Sequence, residues 1–408
     1  MTHLAVLGAG IAGVTTAYHL HDAGYDVTVI DRHRYPAMET SFANGGQLSA
    51  SNAEVWTTWA TVLKGLRWML RRDAPLLVHP APRWHKVSWM AEFLGNVGNY
   101  RPNTLETVRM AMAARPVLAE MAARAGVDYE RSDEGILHFY GTEAEMVQAR
   151  RVTRLYAEVG LARHELEPED VARLEPRLAT PTAGGFWTPS DSTGDIHRFT
   201  VGVARWLERQ GVAFDMGREV RDVRALGRGV EIDGARFDGV VVCAGVGSRA
   251  IAAALGDRVN VYPVKGYSIT VNLDDARSRD AAPRISLLDD KAKIVSSRLG
   301  DGRLRVAGTA EFGGFDRDIR ADRIRPLTAW VERHFPDVST ESVVPWAGLR
   351  PMMPSMMPRV GRGRRDGVFY NTGHGHLGWT LGPATAQAVT AVVAGAMPPA
   401  ARAVPMVA

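Results

Sequence analysis

The chain has 408 residues, 46% of them hydrophobic, and its 49 Lys or Arg against 45 Asp or Glu leave a formal net charge of +4. That composition suits a globular chain with a large core and excludes a disordered tail, while a single cysteine, Cys243, excludes a disulfide scaffold or a cysteine-rich zinc module. All but five of the basic residues are arginine, but acids are interspersed throughout and no nucleic-acid-binding motif is present, so no nucleic-acid partner is expected.

The N-terminal apolar stretch is broken by glycines and has no Lys or Arg before it, unlike a secretory signal. Residues 4–7 read as a short buried strand. Gly8, Ala9, Gly10, Ile11, Ala12 and Gly13 follow at once and open a helix over 14–23, which Gly24 ends. A second strand over 26–30 closes at Asp31, with Arg32 beside it. This is G-x-G-x-x-G set between strand and helix, the context that gives the motif meaning. Gly8 makes the turn, Gly10 lets backbone approach a pyrophosphate, and Gly13 lets the helix sit close on the sheet. The helix N-terminus offers free N–H groups to the phosphates, and Asp31 is placed to accept from ribose hydroxyls. NAD and FAD share this fingerprint, so the rest of the chain must decide between them.

The next run, 39–49, is rich in small and polar residues: Thr40, Ser41, Asn44, Gly45, Gly46, Gln47 and Leu48 expose backbone as a chain wrapped around a ligand does. From Trp56 the spacing Trp56, Trp59, Leu63, Leu66, Leu70 predicts a helix with an apolar stripe. Lys64, Arg67, Arg71 and Arg72 lie on its other faces, and Trp84 and Trp89 follow. Two readings stay open: a helix packed on its own domain, or one lying on a membrane surface. Helices are predicted over 104–126 and 143–160, each ending at glycine. Residues 237–245 read as another buried strand that ends at Ala244 and Gly245, which implies a return to the nucleotide sheet. Strands over 262–271, 292–297 and 304–309 belong to a distinct sheet. Residues 371–380, including His374, His376, Gly378, Trp379 and Thr380, open a terminal helix whose apolar part, 386–396, is too short to span a bilayer. Three returns to one ligand suit a long, buried cofactor. The protein is expected to be cytoplasmic, either free or peripheral on the inner face of the cell membrane. The 12 histidines show no spacing that suits a metal, so no metal site is expected.

Six separated blocks agree in order with one family. GAGIAG at residue 8, ETSFANGGQLS, VVCAGVGS, YPVKGYSIT, WAGLRPMMP and NTGHGHLGWTLGPATAQ resemble the FAD-dependent D-amino-acid oxidase superfamily, with order and spacing closest to its bacterial D-amino acid dehydrogenase branch. The resemblance runs from residue 1 to about 396. It implies an α/β fold: a discontinuous Rossmann-type FAD-binding domain over 1–55, 190–262 and 345–408, interleaved with an α+β substrate domain over 56–189 and 263–344. It also implies FAD as cofactor and oxidative deamination of a D-amino acid to a 2-oxo acid and ammonia. In that chemistry a hydride passes from the substrate Cα–H to flavin N5, and the electrons go on to quinone or another carrier. The alternative is an oxidase that uses oxygen on D-amino acids, glycine or N-methyl amino acids.

Such chemistry needs few side chains, since the cofactor carries the hard step. Arg350, within Gly348-Leu349-Arg350-Pro351, matches the family block whose arginine grips the substrate carboxylate, a task that suits a planar guanidinium. Tyr267 is a second candidate contact, weighed against a packed strand aromatic. The resemblance also implies cofactor contacts from Gly348, from backbone near Val220 at the adenine, and from 373–380 at the flavin's pyrimidine end. Two departures stand out: Met352, Met353, Met356 and Met357 replace polar character near the site, and Leu381-Gly382-Pro383 departs from the Ser-Gly-rich form of the branch.

Overall fold

The computed structural model describes residues 2–68, 76–79 and 83–399. Six strands form one sheet in the order Arg359–Arg362, Val368–Thr372, Gly239–Val242, His3–Leu7, Asp26–Asp31, Ala213–Met216. Its pairs are parallel except the first, Arg359–Arg362 with Val368–Thr372. Parallel strands need covered faces, and these have them. Helices Ile11–Asp22, Ile196–Arg209 and Gly378–Ala396 meet in one cluster with Val6, Val29 and Val241. Val240 and Val242 pack the other face with Val261 and Tyr370. The strand order places residues from three distant parts of the sequence, 3–31, 213–242 and 359–372, side by side.

The second sheet has nine strands. It runs Val343–Met352, Tyr262–Asn272, Arg303–Phe312, Ile294–Leu299, Ser286–Asp289, Ile136–Tyr140, Gly184–Thr188, His164–Leu166, with Leu76–Val78 pairing off the Arg303–Phe312 strand. One of its faces packs on the helix Ala321–His334 through Ile269, Val271, Leu327, Trp330 and Val331. The other face meets the 43–47 run. Side-chain donors from this sheet take that run's carbonyls: Ser268 Oγ donates to Ala43 O at 2.7 Å, Arg305 Nη1 to Asn44 O at 3.1 Å, and Ser297 Oγ to Gly45 O at 2.6 Å.

Three boundaries differ from expectation. The strand Val343–Met352 pairs along its length with Tyr262–Asn272, so Gly348 and Arg350 belong to the cap sheet and not to a nucleotide segment starting at 345. The helix expected over 104–126 spans Tyr100–Ala125, closed by Gly126 at φ +63°. Its last turns place Leu118, Met121, Ala122 and Ala125 in the nucleotide-domain core, so it bridges both layers. The helix expected from Trp56 spans Trp59–Trp68. Trp59 and Leu63 are exposed, while Leu70, Arg71 and Arg72 lie outside the described residues, as do the side chains of Lys64, Leu66 and Arg67. Among the described residues no helix is long and apolar enough to cross a membrane.

Candidate cofactor and substrate site

The glycine turn does what its spacing requires. Gly8 sits at φ +108°, and a Cβ there would meet Cys243 O at 2.6 Å. A Cβ at Gly13 would lie 1.7 Å from Gly8 O, so turn and helix touch backbone to backbone. The helix Ile11–Asp22 has Gly10 as its N-cap, no side-chain cap on it and no acid in its first turn. Its first N–H, that of Ile11, donates to Ser41 Oγ at 3.0 Å, which ties the ligand-wrapping run to the turn. Asp31 accepts from Ala9 N at 2.7 Å and from His33 N at 2.8 Å, so part of its carboxylate already shapes the turn. Arg32 pairs with Glu39.

The helix Gly378–Ala396 begins beside this turn. Its N-terminus also lacks a side-chain cap and an acidic first turn, and Ile11 Cγ2 would lie 3.7 Å from a Cβ on Gly378. Two helix starts whose N-cap residues supply no side-chain cap lie side by side, a field that favours anionic or electron-rich ligand groups. Gly245 stands close by at φ +52°, after Ala244 and a strand whose Cys243 N bonds Leu7 O. Val220 packs against the cluster that holds Leu7 and Ile30.

The run 39–49 is pinned at its far end. Asp191, fully buried, accepts from Ser49 Oγ at 3.0 Å, Ala50 N at 2.9 Å and Ser51 Oγ at 2.6 Å, and pairs with Arg115. Within the run, Gly46 at φ +74° donates to Asn44 Oδ1 at 2.9 Å. Gly45 is pressed against the cap, where a Cβ would meet Val295 Cγ2 at 2.5 Å. Gln47 and Leu48 pair with Thr193 and Ser192. Gln47 donates to Leu287 O at 3.0 Å, while its Oε1 is buried without a partner. Thr40 lies between these anchors, partly buried.

His374 and His376 part ways. His374 is buried, its Nε2 sits 2.9 Å from Thr385 Oγ1, and burial lowers its pKa to about 4. His376 stacks on Trp56 with ring centroids 4.5 Å apart. Burial, reinforced by the Arg350 charge, lowers its pKa to about 3, so both rings are neutral near pH 7. The Trp379 ring turns into the nucleotide-domain core against Phe199 and Tyr129. Trp379 and Thr380 can therefore serve a ligand through backbone N–H groups in the first helical turn.

Arg350, like Arg305 on the same sheet face, has no acid in ion-pair contact among the described residues. Its Nη1 donates to Thr309 O at 2.9 Å. Burial alone lowers its pKa, to about 10, so it stays charged at neutral pH. Tyr267 is not brought to it. Strand alternation puts Tyr267 on the opposite sheet face, 1% exposed, with its hydroxyl donating to Glu311 Oε2 at 2.7 Å. Glu311 also meets His79 Nε2 at 2.7 Å and Lys265 Nζ at 3.6 Å. The expected second substrate contact is thus a core aromatic closing a buried polar network. Sequence reading missed this network and the carbonyl of Thr309, because both depend on strand register and not on motif.

Helix starts without an N-cap side chain, an orphan polar atom on Gln47 and backbone exposed by glycine fit a long dinucleotide such as FAD. Among the described residues, no group of three or more His, Cys, Asp or Glu could hold a metal.

Comparison with known proteins agrees with this geometry. The family described as FAD dependent oxidoreductase matches residues 3–392. A protein named D-amino acid dehydrogenase 3 from Mesorhizobium japonicum is 57% identical over 405 residues, which cover 98% of each chain. D-amino acid dehydrogenase from Paramagnetospirillum magneticum is 39% identical over 408 residues, covering 96% of this chain and 95% of its own. Among solved structures, glycine oxidase from Geobacillus kaustophilus has a similar fold, with a TM-score of 0.76 at 22% identity over 96% of this chain and 95% of its own.

Proposed function

The chain belongs to the FAD-dependent oxidoreductase family, and from that premise we propose that it oxidises a D-amino acid to an imino acid, which water converts to a 2-oxo acid and ammonia. The observation that carries the reading is Arg350: a half-buried, charged fork with no acid beside it among the described residues, on the sheet face that meets the 43–47 run. A partly desolvated cation without an acid favours a ligand anion beside it, and an amino-acid carboxylate matches its planar geometry. The relatives named D-amino acid dehydrogenase support the D configuration.

FAD, when bound, supplies the two-electron acceptor for this oxidation. The chain's own residues bind and orient. The turn from Gly8 to Gly13 and the helix start at Ile11 hold the dinucleotide's phosphates. Asp31 and the backbone near Val220 serve its adenosine end, and 40–48 wraps its length. Backbone N–H groups from Gly378 to Thr380 would hold the cofactor's electron-rich end and favour negative charge there. Arg350 holds the substrate carboxylate. His376, neutral and stacked on Trp56, forms an apolar wall and holds no proton in transit.

Electrons leave to quinone or another carrier at a membrane surface. Trp59 is 63% exposed, Leu63 59% and Trp84 81%, apolar side chains of a kind suited to the bilayer interface. The reading is tested by mixing the oxidised holoprotein anaerobically with D- and L-amino acids and following flavin absorbance. D-amino acids should bleach the flavin and matched L-isomers should not; bleaching by L-isomers alone rejects it. Stoichiometric peroxide in rapid aerobic turnover would replace the carrier with oxygen.

A further inference from the structure

We propose that Gly266 and Thr309 are positioning residues that hold the Arg350 guanidinium ready for a carboxylate; this rests on the reading of Arg350 given above. In the paired strands Tyr262–Asn272 and Val343–Met352, Val264 lies opposite Arg350 and Gly266 opposite Gly348. The arginine side chain folds back over position 266. A Cβ built there would lie 2.1 Å from Arg350 Cζ, 2.2 Å from Nη1 and 2.3 Å from Nη2. Near-equal distances to three atoms of the fork mean that its plane lies across the place a side chain would occupy. Gly266 is not among the glycines of positive φ, so its backbone would accept any residue. The glycine is there for space.

Thr309 supplies the other half. On the far side of Gly266 the pairing slips: Lys265 is opposite Glu311, but Tyr267 is opposite Gly308. Thr309 and Ala310 therefore form a bulge against Gly266, a device that re-aims groups beside functional sites. Thr309 adopts φ +58°, a left-handed conformation that a β-branched residue takes only under constraint. The outcome is local. Its carbonyl meets Arg350 Nη1 at 2.9 Å, while its buried hydroxyl has no partner. One of the five N–H donors of the fork is thus committed to a backbone carbonyl, which sets the rotation of the fork about its own axis. The remaining donors have no protein acceptor among the described residues and are left for the ligand.

The test is carboxylate binding to the FAD-loaded protein, read from the shift in flavin absorbance with benzoate as probe. Gly266→Ala should weaken binding at least tenfold with FAD content and melting temperature retained, because the methyl displaces the guanidinium. In an Arg350→Lys background, whose slimmer ammonium does not cross position 266, the same change should weaken it less than threefold. Thr309→Pro, which forbids positive φ, should weaken binding at least tenfold. Thr309→Gly, which keeps the left-handed turn, should hold affinity within about threefold of wild type. Full affinity in Gly266→Ala, or an equal loss in both backgrounds, overturns the proposal for Gly266. Equal affinities for the Pro and Gly variants at 309 overturn it for Thr309. Failure of the Arg350 reading itself would appear separately, as unchanged benzoate affinity in Arg350→Ala.

Discussion

Arg350 is held charged in a site where burial opposes charge, and its protein partner is a neutral carbonyl. Arg350→Ala should retain FAD but weaken substrate affinity by about 2–4 kcal/mol, the range for truncating one partner of a desolvated charge contact. A titration of flavin reduction against amino-acid concentration measures it. His374 illustrates the opposite balance, a titratable ring held neutral. Its folded pKa, about 4, lies below the ordinary histidine value of 6.5, so the unfolded chain binds the proton more readily. Stability is therefore full above pH 6.5 and falls as pH drops from 6.5 toward 4. At pH 5 the loss from this residue is about 2 kcal/mol. Urea unfolding at pH 7 and pH 5 should show it, with a smaller difference in His374→Gln. Residue types alone could not separate His374 from His376 or place Tyr267. Each has one neighbour that decides its role: Thr385, Trp56 and Glu311 respectively.

At the scale of elements, the strongest sequence signals were those that depend on local sterics. The glycine turn at 8–13 needs a positive φ at Gly8 and backbone contact at Gly13, and only glycine meets both. Gly13→Ala should yield protein without bound flavin, because the methyl would occupy the space of Gly8 O; a yellow purified variant would contradict this. The helix Glu143–Ala157 carries a complete capping box, in which Thr142 accepts from Glu145 N while the Glu145 carboxylate accepts from Thr142 N at 3.2 Å. Thr142→Ala should cost about 1 kcal/mol of stability by denaturant unfolding and leave the site untouched. Periodicity was less decisive near Trp56. Its apolar stripe implied one continuous helix, but Trp56 lies ahead of Trp59–Trp68 and turns inward to stack on His376. Contact with a distant ring outweighed local spacing.

Over the whole molecule, cofactor and fold support each other, since the candidate cofactor contacts come from separated chain segments. FAD at a hundred times its dissociation constant should raise stability by about 2.7 kcal/mol over the apoprotein, seen as a higher melting temperature on titrating FAD back. The exposed aromatics form the other large-scale feature. Trp59→Ser with Trp84→Ser should reduce co-sedimentation with anionic lipid vesicles while leaving anaerobic flavin reduction by substrate intact. The sequence by itself determined the nucleotide fold and the use of FAD, and offered Arg350 as the candidate carboxylate contact, because glycine sterics, helix starts and ordered blocks are written locally. Tertiary structure alone decided which face of a strand meets the ligand. It placed Gly348 and Arg350 in the cap sheet, turned Tyr267 to the far side and set the 309–310 bulge against Gly266. A shift of one residue in pairing register reverses every side chain, and no single segment carries that information.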